Sequence, residues 1–457
     1  MIRYFYDPLY GQIIIEQLFY PIVDSIYFRR LRHLRQLGLC YLSFPGGNHT
    51  RYEHSLGTFH LSTLMKNVVE KATGLDEFNK SRLITLLKLG TLCHDIGHGP
   101  FSHMTENVLH GIGSKITHEE IGSAIISNYL RKELQPFEKK YNITSDMICQ
   151  LITKSAKSDD PLIQCAGELV SSDVDLDRID YLYRDSHYSG QRTLNMNHTV
   201  NFDEIWKLST KLGFPRFELT DKGVHYAEEI LILRKNNYRR IVYESKHMGL
   251  TAMYEKAVNI AAQTYDCEFG KRCKNIMELE IDVKDSKSLK EYFPIIWEIF
   301  GLFDYQALSL LEDCPNYDVK KVMRKIRLGD CYTSSIQITW NHIHYNTKKI
   351  ILSLKNEIEA FNLRRKIENE LANRVNNVSP IQIAVYLQKF NTPKPIVTGT
   401  IHGDLLEEIS GLSNFLIEDI KNQYRTELFL DPDISIEHKS EIIKSFRDMI
   451  NEGKLTL

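Results

Sequence analysis

Between Arg51 and Met104 the chain places His54, the adjacent pair His94-Asp95, His98 and His103 around a helical connector. Four imidazoles and a carboxylate so close in sequence constrain the fold, because they must gather at one polar centre inside an otherwise apolar frame. Nitrogen and oxygen donors of this hardness suit a divalent transition metal, or an iron or manganese pair, and leave coordination positions for water. The pattern predicts an open, catalytic metal centre rather than a closed thiolate site.

His94-Asp95 ends an apolar run, SRLITLLKLGTLCHD, in which Leu83, Leu86, Leu87 and Cys93 recur at helical spacing. Gly90 shares that face and predicts the close approach of a second helix. Successive helical residues point about 100° apart, so both reach one ion only at the helix edge, and a further ligand must come from elsewhere. The segment SSDVDLDRIDYLYRDSHYSG supplies it. Asp177, Tyr181, Arg184 and Asp185 stand at i, i+4, i+7 and i+8 and are expected on one polar face, with Val174, Ile179 and Leu182 turned to the core.

These residues carry a resemblance. His54, His94-Asp95 and Asp177 match the H…HD…D signature of the HD-domain metal phosphohydrolases. FPGGNHTRYEHSLG, LCHDIGHGPFSHM and DLDRIDYLYRD resemble the matching segments of the SAM-and-HD-domain deoxynucleoside triphosphate triphosphohydrolases and their bacterial relatives. The resemblance implies a mainly α fold built on an HD-domain helical core. It also implies a divalent metal (Fe, Mn, Mg or Zn) held by His54, His94, Asp95 and Asp177, and hydrolysis of deoxynucleoside triphosphates to deoxynucleoside and inorganic triphosphate.

The same resemblance assigns further roles. Gln36, Leu37 and Asp185 border the sugar, and Tyr181 packs beneath it where a 2′-hydroxyl would stand. Arg51, Arg178 and Arg184 face the phosphates, Arg178 replacing a family lysine, while Tyr243 and Glu244 lie near the base, Glu244 replacing a family glutamine. His98 and His103 contact water and phosphates, Glu106 orients an imidazole, and His118 acts on the leaving oxygen. Asp24, Arg29 and Arg32 match positions that read an activating nucleotide, with Arg29 in place of an amide, and the N-terminal hairpin and following helix contribute to an oligomer interface. From the residues alone the set supports metal-dependent phosphoester or phosphoanhydride hydrolysis. An HD-type phosphodiesterase or nuclease acting on nucleic acid or a cyclic nucleotide, and a non-catalytic nucleotide-sensing protein, stay open.

With 457 residues, 42% hydrophobic and 25% charged, the chain can bury a large core and more than one domain. We expect a catalytic core over 1–335 and a smaller α+β region over 336–457 for oligomerisation or regulation, the assembly being a dimer or tetramer. A net charge of −2 exerts no general pull on nucleic acid. Eight cysteines without a CxxC pair read as reduced thiols. No apolar run reaches about 18 residues and the N-terminus lacks a leader pattern, so the expectation is cytoplasmic, with no membrane partner.

Locally, Asp7-Pro8 and Gly11 predict an N-terminal β-hairpin, VDSIYFRRLRHLRQLG a helix over 23–38, and Thr117 with Glu120 a capping box starting a helix at His118. A long helix is expected over 224–265. Beyond 336, IQITWNHIHY, PIQIAVYLQKF and PKPIVTGTIHG read as strands around a helix in LSLKNEIEAFNLRRKIENELANRV.

Overall fold

The computed structural model describes residues 3–153, 158–172, 174–191, 201–211, 214–264, 267–279, 286–339, 342–354, 357–387 and 425–451. These are mainly helical, with small antiparallel sheets. Strands β1 (Arg3–Asp7) and β2 (Gly11–Ile15) form the expected hairpin, in register Arg3 to Ile15. Its turn is held by Asp7, which accepts the N–H groups of Leu9 and Tyr10. Ile13 and Ile15 enter the core while Ile14 faces outward, as strand alternation requires.

The helix expected over 23–38 is broken. Short helices Tyr20–Asp24 and Ile26–Arg29 are separated by extended Ser25, whose hydroxyl caps the second by accepting the Phe28 N–H. A 3-10 turn, Arg30–His33, runs into extended Leu34, and Arg35 then bridges Thr50. Backbone partners outside the helix thus take over before residue 38.

Helix α1 (Arg51–Leu64) starts where Glu53 accepts the Thr50 N–H at 2.6 Å. It lies along α2 (Glu77–Cys93), capped by Asp76 and buried nearly all round from Arg82 onward, as befits a central helix. Next come α3 (His103–Gly111) and α4 (His118–Ala124), the latter opened by the Thr117–Glu120 capping box. Helix α5 (Pro161–Val170) crosses α2 at Gly90, where a Cβ would come within 2.9 Å of Val170 Cγ2. Helix α6 (Leu176–Ser189) is capped by Asp175 and ends at left-handed Gly190.

Strands β3 (Trp206–Lys211) and β4 (Phe214–Leu219) form a hairpin the sequence reading did not anticipate. The helix expected over 224–265 is two, α7 (Asp221–Asn237) and α8 (Ser245–Thr264), parted by a π turn at Tyr238–Val242. Glu244 caps α8, its carboxylate accepting the N–H groups of Lys246 and His247. After α9 (Asp304–Glu312) comes a three-stranded sheet, β5 (Thr333–Thr339), β6 (Ile383–Leu387) and β7 (Arg425–Leu430), with β7 central. Helices α10 (Glu357–Asn373) and α11 (Ile436–Asn451) pack with it around a second core that includes Ile367, Leu371, Leu428 and Phe446. A buried ion pair between Lys256 of α8 and Glu368 of α10 ties this unit to the larger core. The strand expected in PKPIVTGTIHG lies outside the described residues. No helix among those described is long and apolar enough to cross a membrane, and the eight cysteines are free.

Candidate metal centre

Three helix ends converge on one point. His54 sits in the first turns of α1, His94 and Asp95 at the C-terminal end of α2, and Asp177 in the first turn of α6. His54 Nε2 lies 3.1 Å from His94 Nε2 and 3.0 Å from Asp177 Oδ1. Asp95 stands beside these three, its Oδ2 3.7 Å from His54 Nε2 and its Oδ1 3.4 Å from His94 Nε2. Metal–ligand bonds of about 2.1 Å place neighbouring donors roughly 3.0 to 3.4 Å apart, and His54, His94 and Asp177 lie close enough together to hold one divalent cation.

The imidazole tautomers support that fit. His94 Nδ1 donates to the carbonyl of Thr91 at 2.7 Å, and His54 Nδ1 to Asp180 Oδ2 at 2.7 Å. Both Nε2 atoms therefore face the same point. Partners behind a ligating imidazole orient it in this way. Burial disfavours the charged ring of His54, yet Asp177 and Asp180 outweigh it and push the pKa up to about 10. The pocket attracts a cation.

Asp180 was not anticipated, although its position three residues after Asp177 in DLDRID is the signal that could have found it. Burial raises its carboxyl, but Arg184 and His54 prevail and bring it down to about 2. Gly57 leaves room for both, since a Cβ there would collide with Asp180 and Arg184. Arg184 is a correction. Its guanidinium is fully buried and bonded to Asp180 (2.8 and 2.9 Å) and Asp7 (2.8 Å), so it braces the centre from behind and does not face phosphate.

Arg51, itself buried, donates Nη1 to Asp95 Oδ2 at 2.5 Å and Nε to Ser102 Oγ at 2.6 Å. Burial penalises the Asp95 charge, but Arg51, His94 and His98 together hold its carboxyl well below the usual range. Beside it stands a second group. The His98 and His118 rings stack at 3.7 Å, and Glu106 Oε2 lies 3.0 Å from His118 Nδ1 and 3.5 Å from His103 Nδ1. Burial, then Arg51 and His118, depress the His98 pKa well below the ordinary imidazole range. His103 is 64% exposed and opens to solvent.

The remaining expected residues divide. Gln36 donates its N–H to the His49 carbonyl, and its side-chain Oε1 is buried without a hydrogen-bond partner among the described residues. Leu37 precedes the 3-10 turn Gly38–Leu42. Arg178, near Asp175, and half-buried Tyr181 continue the α6 face from Asp177. Asp185 is 2% exposed and engaged by His49 at 2.9 Å and Asn237 at 3.1 Å, two neighbours the sequence reading missed. Tyr243 approaches Tyr238 and Tyr386 with ring centroids 5.7 and 6.3 Å away. Glu244, half-buried, caps α8 through its carboxylate. At the N-terminal face Asp24 pairs with Arg3 and Arg29, both at 2.8 Å, and Arg32 lies over the Tyr52 ring.

The HD domain family model matches residues 51–185. An uncharacterized protein of Mycoplasma pneumoniae is 32% identical over 54% of this chain and 57% of its own length. The deoxynucleoside triphosphate triphosphohydrolase SAMHD1 of Homo sapiens is 31% identical over 52% of this chain and 41% of its own. The chain thus spans about half the length of such curated relatives. A solved structure of a hypothetical protein from Aquifex aeolicus superposes over 97% of this chain and all of that one, at TM-score 0.65 and 20% identity, and shares the fold. Residues 51–185 of this chain thus carry an HD domain, HD domains bind divalent metal, and His54, His94 and Asp177 within it lie close enough together to hold one.

Proposed function

We propose that the chain hydrolyses deoxynucleoside triphosphates at the α-phosphorus, with a divalent cation held by His54, His94, Asp95 and Asp177. The observation that carries this reading is that Asp95 joins two side-chain groups. Its Oδ1 lies 3.4 Å from His94 Nε2, among the metal-type donors, and 3.3 Å from His98 Nε2, among the imidazoles that can move protons. The likeness to a human deoxynucleoside triphosphate triphosphohydrolase supports the choice of substrate.

A divalent cation bound there supplies Lewis acidity toward a phosphoryl oxygen and lowers the pKa of coordinated water. Arg51, bonded to Asp95, and Arg178, beside Asp175, are the guanidinium groups assigned to the triphosphate oxygens. His98, kept neutral by burial and Arg51, is a proton acceptor in that wall. His118, its Nδ1 committed to Glu106, keeps Nε2 to deliver a proton to the departing 5′-oxygen. The P–O5′ bond breaks, the oxygen of water stays on phosphorus, and deoxynucleoside and inorganic triphosphate leave.

Tyr181, Asp185 and Gln36 are the residues assigned to the sugar. The unit beyond residue 336 serves oligomerisation or regulation, and Asp24, Arg29 and Arg32 are assigned to an activating nucleotide. The test incubates the chain with Mg, Mn or Fe and each nucleotide and resolves the products. Inorganic triphosphate supports the proposal. A nucleoside monophosphate from a strand or cyclic nucleotide replaces it with a phosphodiesterase, and binding without product replaces it with a sensor.

A further inference from the structure

The turn from Ile96 to Ser102 carries His98 and has a backbone that L-residues seldom adopt. Phe101 and Ser102 both have φ of +52°. Such conformations persist only where the surroundings impose them. The imposing groups come from outside residues 51–185, and each is a buried charge bonded to backbone.

Asp304, first residue of α9 and 1% exposed, accepts the Phe101 N–H on Oδ1 at 2.8 Å and the Arg35 N–H on Oδ2 at 2.9 Å. Arg30, 5% exposed, donates Nη2 to the carbonyls of His98 (2.5 Å) and Ile96 (3.2 Å), and Nη1 to that of Phe300 (2.8 Å). Between them Gly99 is pressed against Phe300, where a Cβ would come within 2.9 Å of the ring. One charge therefore holds the start of the turn and the other its end, each anchored to residues 300–304. Asp304 also has the Arg35 guanidinium at 3.8 Å, but Arg30 is held by backbone carbonyls, and burying charges is unfavourable, so this arrangement needs a reason beyond packing. What the turn delivers is the His98 ring, stacked on His118 and 3.3 Å from Asp95.

We infer that Asp304 and Arg30 are positioning residues, which lock the 96–102 turn so that His98 is aligned with His118 and Asp95. The dependence on turnover rests on the function proposed above; the alignment itself does not. A merely structural role would remove metal, fold and activity together, whereas a positioning role loosens the turn while the metal donors stay in place.

The test uses the full chain loaded with Mn²⁺ and compares wild type with Asp304→Asn and Arg30→Lys, two variants of similar volume so that one suffices if the other fails to fold. Diethylpyrocarbonate modification of each histidine is followed by peptide mass spectrometry, alongside bound metal and steady-state kinetics on a deoxynucleoside triphosphate. The expected result is His98 modification faster by about tenfold, unchanged metal content, and kcat lower by about tenfold or more with KM within about twofold. Unchanged His98 protection in a folded variant, or loss of metal in step with activity, overturns the inference. A wild-type chain that turns over no deoxynucleoside triphosphate removes the proposed substrate, and the His98 modification rates still decide whether the turn is locked.

Discussion

His54 Nδ1 and Asp180 Oδ2 meet at 2.7 Å where neither side chain reaches solvent, and the same carboxylate holds the Arg184 guanidinium. One acid thus orients an imidazole toward the proposed cation and neutralises a buried arginine. Replacing Asp180 by Asn keeps an acceptor for Nδ1 but removes the charge. Metal affinity is expected to fall about 10–100-fold, the usual loss when a ligand's outer partner changes. A competitive chelator titration measures it, and an unaltered affinity rejects the orienting role.

Metal should also stabilise the fold, since the convergent donors of α1, α2 and α6 exist only in the native chain. At a free cation concentration of about 100 times Kd, the gain is roughly 2.7 kcal/mol. Denaturant unfolding with Mn²⁺ and with excess EDTA reads it directly. Coincident midpoints, with saturating Mn²⁺ confirmed, would rule out a cation in this pocket.

The Lys256–Glu368 pair joins α8 to α10, with Nζ and Oε2 2.5 Å apart and Glu368 Oε1 also accepting the Val385 N–H. Glu368→Gln leaves a buried ammonium without its counter-charge and should destabilise by about 3–5 kcal/mol. Replacing both partners, Lys256→Met with Glu368→Leu, should be milder because no charge is left stranded. If the double variant is as unstable as the single one, the damage comes from packing.

Asp304 also predicts a pH dependence. Burial pushes its carboxyl from 3.8 up to about 6. The folded chain therefore holds this proton more tightly than the unfolded chain, and the stability it confers is present below about pH 4 and lost as pH rises through 6. The loss is on the order of 2–3 kcal/mol. Asp304→Asn should remove that slope, measured as the difference in unfolding free energy between variant and wild type from pH 4 to 7. A parallel pair of curves contradicts it.

Much of this site could be read from short-range pattern. The apolar run ending in His94-Asp95 forms the central helix, and Gly90 meets a neighbouring helix as expected, because both depend on local periodicity. Arg184 shows where that reasoning stops. Periodicity sets the direction of its Cβ, seven residues on from Asp177, but a long side chain follows its counter-charges. Asp180 and Asp7 draw the guanidinium inward. The break of the 224–265 helix at Tyr238–Val242, which lets Glu244 cap α8, likewise has no signal in the local periodicity.

The sequence alone thus determined the helical core, the N-terminal hairpin, the capping box at Thr117 and the type of donors available for a metal, since these follow from residue chemistry and from neighbours within a few positions. The tertiary structure decided which charges face the site and which brace it. The contacts that settle this join residues far apart, Asp7 to Arg184, Arg30 to His98 and Asp304 to Phe101. Pairings of that kind depend on how buried charges find partners once the chain has closed, and no local periodicity encodes them.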